Sequence, residues 1–169
     1  MGNERERIEI LVKANSWDDY FLDIVTTVAK RGTCDRGRSG AMIVKDKQIL
    51  ATGYVGSPSG LPHCDDAGHQ FKKTMHEDGK ISNHCVRTVH AEQNAICQAA
   101  RHGIAIQDST LYCTMTPCYN CAKMVINSGI KRVVCQKDYH AGDDTKKIFA
   151  HAGIALEIIE NSVTKYEQQ

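Results

Sequence analysis

The sequence predicts an α/β fold, a mixed β-sheet of about five strands with helices on its faces. Three observations carry that prediction. Residues 39–54 read as two strands around a short polar turn, and strand-like and helix-like segments alternate after residue 90. The chain of 169 residues, 41% hydrophobic and 24% charged, is also long enough to bury one core.

Taken in order, residues 16–30 place Tyr20, Phe21, Ile24, Val25 and Val28 at helical spacing, with Gly32 as a helix-ending glycine. AMIVK and QILATGY form an antiparallel hairpin that turns at Asp46-Lys47. Residues 53–88 are different: rich in Gly, Pro, Asp and Lys, without apolar periodicity, and holding His63, Cys64, His69, His76, His84 and Cys85. A loop of that length in a compact domain needs something to pin it. Regularity returns with an Ala- and Gln-rich helix at 91–102 that stops at Gly103, then a strand at 109–114. A helix at 117–128 starts on Pro and ends before Gly129, and a strand at 130–135, a helix at 144–152 and a strand at 154–159 follow. Strands separated by helices imply right-handed crossovers and parallel pairing. No repeat, low-complexity tract or linker divides the chain, so a single domain over 1–169 is expected, with 1–15 as an N-terminal extension.

Lys plus Arg number 21 against 20 for Asp plus Glu, a net charge of +1. A protein tracking a nucleic-acid polymer carries a basic excess, so no such partner is expected. No apolar run approaches the ~20 residues of a membrane span and the opening lacks a signal-peptide pattern, which points to the cytoplasm and no membrane. Eight cysteines accompany eight histidines. In such a compartment that count reads as metal ligation or catalysis ahead of disulfides.

Two segments concentrate the chemistry: His90-Ala91-Glu92 and Thr116-Pro117-Cys118-Tyr119-Asn120-Cys121. Cys118 and Cys121 fall in the first turn of the expected helix, on one face, where the helix dipole favours thiolates. His90 opens the preceding helix, and one parallel crossover unit brings both helix N-termini to the same end of the sheet. One imidazole and two thiolates leave a tetrahedral zinc with an open position, the catalytic arrangement. Two thiolates also cancel the ion's charge, so a bound water benefits from a base, and Glu92 is placed to be it. The blander readings of these segments are a structural zinc and a redox dithiol; the conjunction of both segments argues against them.

H-x-E followed by P-C-x-x-C is the signature of zinc deaminases. With CDRGRSGAMIV at 34–44, TGYVGSPSGLPHC at 52–64, HCVRTVHAEQNAI at 84–96, LYCTMTPCYNCAKMVINSGI at 111–130 and Tyr139, the chain resembles the deoxycytidylate (dCMP) deaminases of the cytidine deaminase superfamily over residues 16–159. The resemblance implies a cytidine-deaminase-like three-layer fold. It implies zinc-dependent hydrolysis of dCMP to dUMP and ammonia, supplying thymidylate synthesis. It also implies a homo-oligomer, with a hexamer favoured, activated by dCTP with Mg²⁺ and inhibited by dTTP. By motif position, Tyr139 would meet the substrate phosphate and the Ala91 backbone N–H the pyrimidine carbonyl. Val55, Ser57 and Thr116 would lie at the substrate, and Asn94 and Arg101 at an interface or effector site. One departure stands out. Relatives carry Asn in G-Y-N-G where this chain has Val55, whose side chain neither donates nor accepts, and Ser57 is the neighbouring hydroxyl.

Relatives often pin the irregular region with a second, structural zinc. Here Cys34, Cys64 and Cys85 are its expected ligands, with His69 or His84 completing four. The other reading makes Cys34 and Cys64 small buried hydrophobes and His69 a solvated side chain. Cys97, Cys113 and Cys135 read as core, as do Met42, Met115 and Met124, and Lys72-Lys73 and Lys146-Lys147 as solvated pairs. Two other functions stand beside dCMP deamination. One is deamination of another cytosine nucleotide or nucleoside, or of adenosine in tRNA, the last disfavoured by the near-neutral charge. The other is a non-catalytic zinc scaffold, disfavoured by Glu92.

Overall fold

Consecutive apolar side chains of the first strand pack on opposite faces of the sheet, Ala41 and Ile43 on one and Met42 and Val44 on the other, which sorts the molecule into layers. The computed structural model describes residues 14–75, 79, 81–160 and 162–164; His76 and residues 1–13 of the expected extension lie outside them. Helix α1 spans Trp17–Ala29, capped by Ser16, whose hydroxyl accepts from the Asp19 N–H. Strands β1 (Gly40–Lys45) and β2 (Gln48–Tyr54) form the expected antiparallel hairpin, with Asp46 and Lys47 both at positive φ in its turn.

The stretch expected to be irregular holds a short helix, α2 (Cys64–Ala67), and a separate antiparallel hairpin of β3 (Phe71–Met75) and β4 (Ile81–Cys85). Every residue of β3 is exposed. A hairpin with no buried face has no in–out alternation to read, which is why the sequence hid it.

Then come α3 (Ala91–Arg101), β5 (Thr110–Met115), α4 (Tyr119–Asn127), β6 (Arg132–Tyr139), α5 (Asp143–Ala152) and β7 (Ala155–Ile158). Among the described residues the main sheet runs β2-β1-β5-β6-β7, with β5, β6 and β7 parallel and β1 antiparallel to β5. A short β8 (Val163–Thr164), absent from the expected elements, extends the pairing beside the end of β6.

On one face, Phe21, Leu22 and Val25 of α1 pack on Met42, Val44, Tyr112 and Val134. On the other, Ala91, Ala95, Ala99, Ala122, Val125 and Phe149 pack on Ala41, Ile43, Leu111, Cys113, Val133 and Cys135. Cys113 and Cys135 are thus core, as expected, whereas Cys97 is exposed. The buried stripe of α3 runs through 91, 95 and 99 at one turn per step, and residue 97 falls on the opposite side. No described helix is long and apolar enough to cross a membrane.

A polar clamp fastens α1 to the sheet. Arg132 donates through both terminal nitrogens to Asp18, at 2.8 and 2.7 Å, and through Nε to Glu157 at 2.8 Å. The Tyr112 hydroxyl donates to Asp18 at 2.6 Å. The Arg132 hydrogen bond holds the Asp18 carboxyl below its ordinary value of 3.8 against the opposing effect of burial. Because the folded value is depressed, this stabilisation is complete above pH 3.8 and is lost as pH falls through the folded value. Asp18→Asn should therefore cost about 1–2 kcal/mol at neutral pH by denaturant titration, with the two proteins converging in strong acid. Equal stability at neutral pH would show the clamp to be idle.

Candidate active site

Two close approaches of backbone to backbone place the reactive side chains. At Gly53 of β2, an added Cβ would collide with the Ala91 carbonyl oxygen and the Ala95 nitrogen, so only glycine lets α3 lie this near the sheet. The Asn94 amide donates to the Tyr54 carbonyl at 2.8 Å, and Gly56 and Val89 exchange backbone hydrogen bonds of 3.2 and 2.9 Å. These contacts fix His90 as the N-cap residue of α3, its N–H donating to Gln93 Oε1 at 3.1 Å. On the facing helix, the Thr145 hydroxyl of α5 donates to the Pro117 carbonyl at 2.9 Å. Helix α4 begins at Tyr119, later than the sequence suggests, so Cys118 is its N-cap and only Cys121 lies in its first turn.

The two N-termini meet. His90 Nδ1 lies 3.5 Å from Cys118 Sγ and 3.4 Å from Cys121 Sγ. A tetrahedral zinc with Zn–N of about 2.0 Å and Zn–S of about 2.3 Å has an N···S edge of about 3.5 Å, so the three donors fit the ion as they stand. The Cys121 thiol's hydrogen bond holds Cys118 down to about 4, against burial and with help from His90. Hydrogen bonding to Cys118 raises His90 to about 9. Zinc needs two thiolates and a neutral imidazole, so binding here would release the protons held by Cys121 and His90. Glu92 is buried in the first turn of α3, two residues from His90 and close enough to Cys121 for the two to influence each other's protonation. Burial pushes its carboxyl up, opposed by His90.

A second group of donors gathers around Val55, just beyond the end of β2. Cys34, Cys64, His69 and Cys85 place their ligand atoms within 4.8 Å of one another. Cys64 Sγ is 3.6 Å from Cys85 Sγ, and Cys34 Sγ is 3.8 Å from His69 Nδ1, again the edge lengths of a tetrahedral site. His69 turns its other nitrogen, Nε2, to the Asp35 carboxylate at 3.0 Å, the arrangement that fixes a ligand histidine's tautomer. The fourth place falls to His69 and not to His84, which lies opposite Lys72 in the hairpin and next to Cys85, on the alternate face of β4.

Residues 15–137 match the family described as the cytidine and deoxycytidylate deaminase zinc-binding region. The chain belongs to this family. It is 39% identical over 145 residues to ComE operon protein 2 of Bacillus subtilis, covering 86% of this chain and 72% of that protein. To the deoxycytidylate deaminase of Saccharomyces cerevisiae it is 35% identical over 142 residues, covering 83% of this chain and 44% of that enzyme, so the match spans under half of the yeast protein. A crystal structure of the dCMP deaminase of cyanophage S-TIM5, in complex with dCMP and dUMP, superposes with a TM-score of 0.69 at 28% identity, covering 87% of this chain and 99% of that one. Both donor segments of the first cluster lie within the matched region.

Seen in this family's fold, the remaining expected residues are placed as follows. Ala91 is fully buried at the first position of α3, where the helix leaves its own N–H groups unused. Val55 is buried against Cys34 and Cys64, with Cys85 alongside, so the residue that replaces Asn serves as apolar packing for the second cluster. Ser57 donates its hydroxyl to the Pro62 carbonyl at 2.8 Å, already engaged within its own loop. Asn94 is the tie to Tyr54 described above, and Arg101 lies exposed in the last turn of α3. Thr116, buried beside the metal loop, donates to Asp138 at 3.0 Å, and Tyr139 ends β6. Lys146, expected to be solvated, instead pairs with Asp138 at 2.6 Å. Asp35 and Asp138 were missed because isolated aspartates carry no spacing signal.

Since Gly53 sets the seat of α3, Gly53→Ala should cost about 2 kcal/mol or more and lower zinc retention at His90, Cys118 and Cys121. Metal analysis after dialysis, with melting in parallel, measures both. Wild-type stability and zinc content in that variant would refute the assigned constraint.

Proposed function

We propose that the chain is a single deaminase domain that hydrolyses dCMP to dUMP and ammonia with zinc at His90, Cys118 and Cys121. One observation carries the reading: three donors converge at tetrahedral spacing, no fourth protein donor joins them among the described residues, and Glu92 lies buried in contact with the group. Bound there, zinc would supply Lewis-acid activation of a water for attack on the ring carbon that bears the amino group. The chain's own groups do the rest. Glu92 takes a proton from that water, passes it to the ring nitrogen, and hands a proton on to the departing ammonia. The raised Glu92 value suits a group that must both accept and release a proton. The Ala91 N–H holds the pyrimidine carbonyl, and Tyr139 meets the phosphate. The monophosphate substrate is favoured over a polynucleotide by the net charge of +1 and by relatives named as deoxycytidylate deaminases.

The same reading includes a second, structural zinc at Cys34, Cys64, His69 and Cys85. Four protein donors close a tetrahedron, and three thiolates with one imidazole leave no place for a substrate. Eight free cysteines, seven of them in the two clusters or the core outside exposed Cys97, suit a reducing compartment and a cytoplasmic enzyme. Assembly as a homo-oligomer, with a hexamer favoured, and control by dCTP with Mg²⁺ and by dTTP complete the proposal. Position 55 argues that any effector contact differs from the one an Asn would make, because Val55 is packed inside.

Glu92→Gln should keep zinc and fold while losing about 10²–10⁴-fold in turnover, followed by the ultraviolet change on dCMP deamination. Near-full activity would remove Glu92 from the mechanism. Metal analysis of Cys64→Ala should show one zinc fewer per chain with the catalytic zinc retained. Unchanged stoichiometry would overturn the second site.

A further inference from the structure

The carboxyl end of β6 carries a carboxylate that neither donor cluster uses. Asp138 Oδ1 accepts from the Thr116 hydroxyl at 3.0 Å and from the Tyr139 N–H at 2.8 Å, while Oδ2 accepts from Lys146 Nζ at 2.6 Å. Its partners belong to three pieces of chain: the loop that delivers Cys118, the end of β6 itself, and α5. Backbone bonds close the same knot, Thr116 N–H to the Lys137 carbonyl at 3.0 Å and Gly142 N–H to the Tyr139 carbonyl at 2.9 Å. The turn is drawn in tightly. A Cβ on Gly142 would lie 2.9 Å from the Tyr139 oxygen, 3.2 Å from Asp138 Oδ1 and 3.3 Å from Thr116 Cγ2.

We propose that Asp138 is a positioning residue that fixes the separation between the loop at Thr116 and Cys118 and the backbone of Tyr139, and so sets where the Tyr139 side chain starts. One oxygen bonded to both segments makes the link direct, with no water between. A substrate held at its ring by the metal loop and at its phosphate by Tyr139 requires a fixed span between the two, and small misplacements are costly. Lys146 completes the device. By pairing with the carboxylate it cancels a negative charge that would otherwise repel an incoming phosphate. This role rests on the reading that the chain deaminates dCMP with Tyr139 at the phosphate.

Steady-state kinetics on dCMP, with zinc content and melting temperature in parallel, test it in wild type, Asp138→Ala, Asp138→Asn, Tyr139→Phe and the double variant Asp138→Ala/Tyr139→Phe. Asp138→Ala should raise KM about tenfold, with kcat within about threefold and zinc content unchanged. Asp138→Asn keeps an oxygen for Thr116 and for the Tyr139 N–H, so it should recover most of the KM even where Asp138→Ala fails to fold. In the double variant the two effects should fall well short of multiplying, because both act through one contact. The proposal is overturned by a fall in kcat at unchanged KM, by zinc loss, by full multiplication, or by an Asn variant no better than Ala. If zinc-loaded wild type leaves dCMP untouched, the functional reading fails first, before any variant is compared, and this role falls with it.

Discussion

The contact between Gly53 and the first turn of α3 is the constraint on which the rest depends. A metal site tolerates donor displacements of only about 0.2 Å, less than a long side chain's ordinary motion. His90 and Cys118 are therefore held through backbone, each as the N-cap of its helix, and the helices are seated by packing. The alanines at 91, 95 and 99 bring α3 down on the sheet, and the missing Cβ at residue 53 lets it arrive. The placement of His90 and Glu92 is thus set by packing at the backbone of Ala91, the residue between them.

The two clusters show how similar donors acquire different roles. At His90, Cys118 and Cys121, two thiolates would balance a bound zinc and leave one corner open, with the buried Glu92 carboxyl nearby. At Cys34, Cys64, His69 and Cys85 protein donors would fill all four corners of a tetrahedral ion, and the Asp35 carboxylate lies 3.0 Å from the other nitrogen of the imidazole. The packing of Val55 against this second cluster, and the pairing of Gly56 with Val89 next to His90, join the two centres through a short run of backbone.

Much of this was legible in the sequence, for physical reasons. The strand pair at 39–54 was legible because β1 is buried on both faces and so reads as an unbroken apolar run before a short polar turn. The donor segments were legible because His90 and Glu92 lie two residues apart, and Cys118 and Cys121 three, each pair at a helix start where short spacing fixes local geometry. What escaped depends on tertiary surroundings. The β3–β4 hairpin rests on no core, Cys97 lies on the dry stripe's far side, and the choice between His69 and His84 turns on which face of β4 meets the thiols. Asp138 and Lys146 look like ordinary surface charges until the chain folds them onto Thr116.

The order of the two clusters along the chain has a consequence for biosynthesis. The donors of the four-residue cluster span residues 34–85, and the last donors of the three-residue cluster come only at 118 and 121. A ribosome therefore releases every ligand of the closed site well before it releases the cysteines of the open one. Metal captured early would tie the irregular segment to the start of β1 while β5 and α4 are still to be made. The newborn polypeptide would then meet its second half with the loop already fastened, and the sheet would be completed around a knot tied in advance.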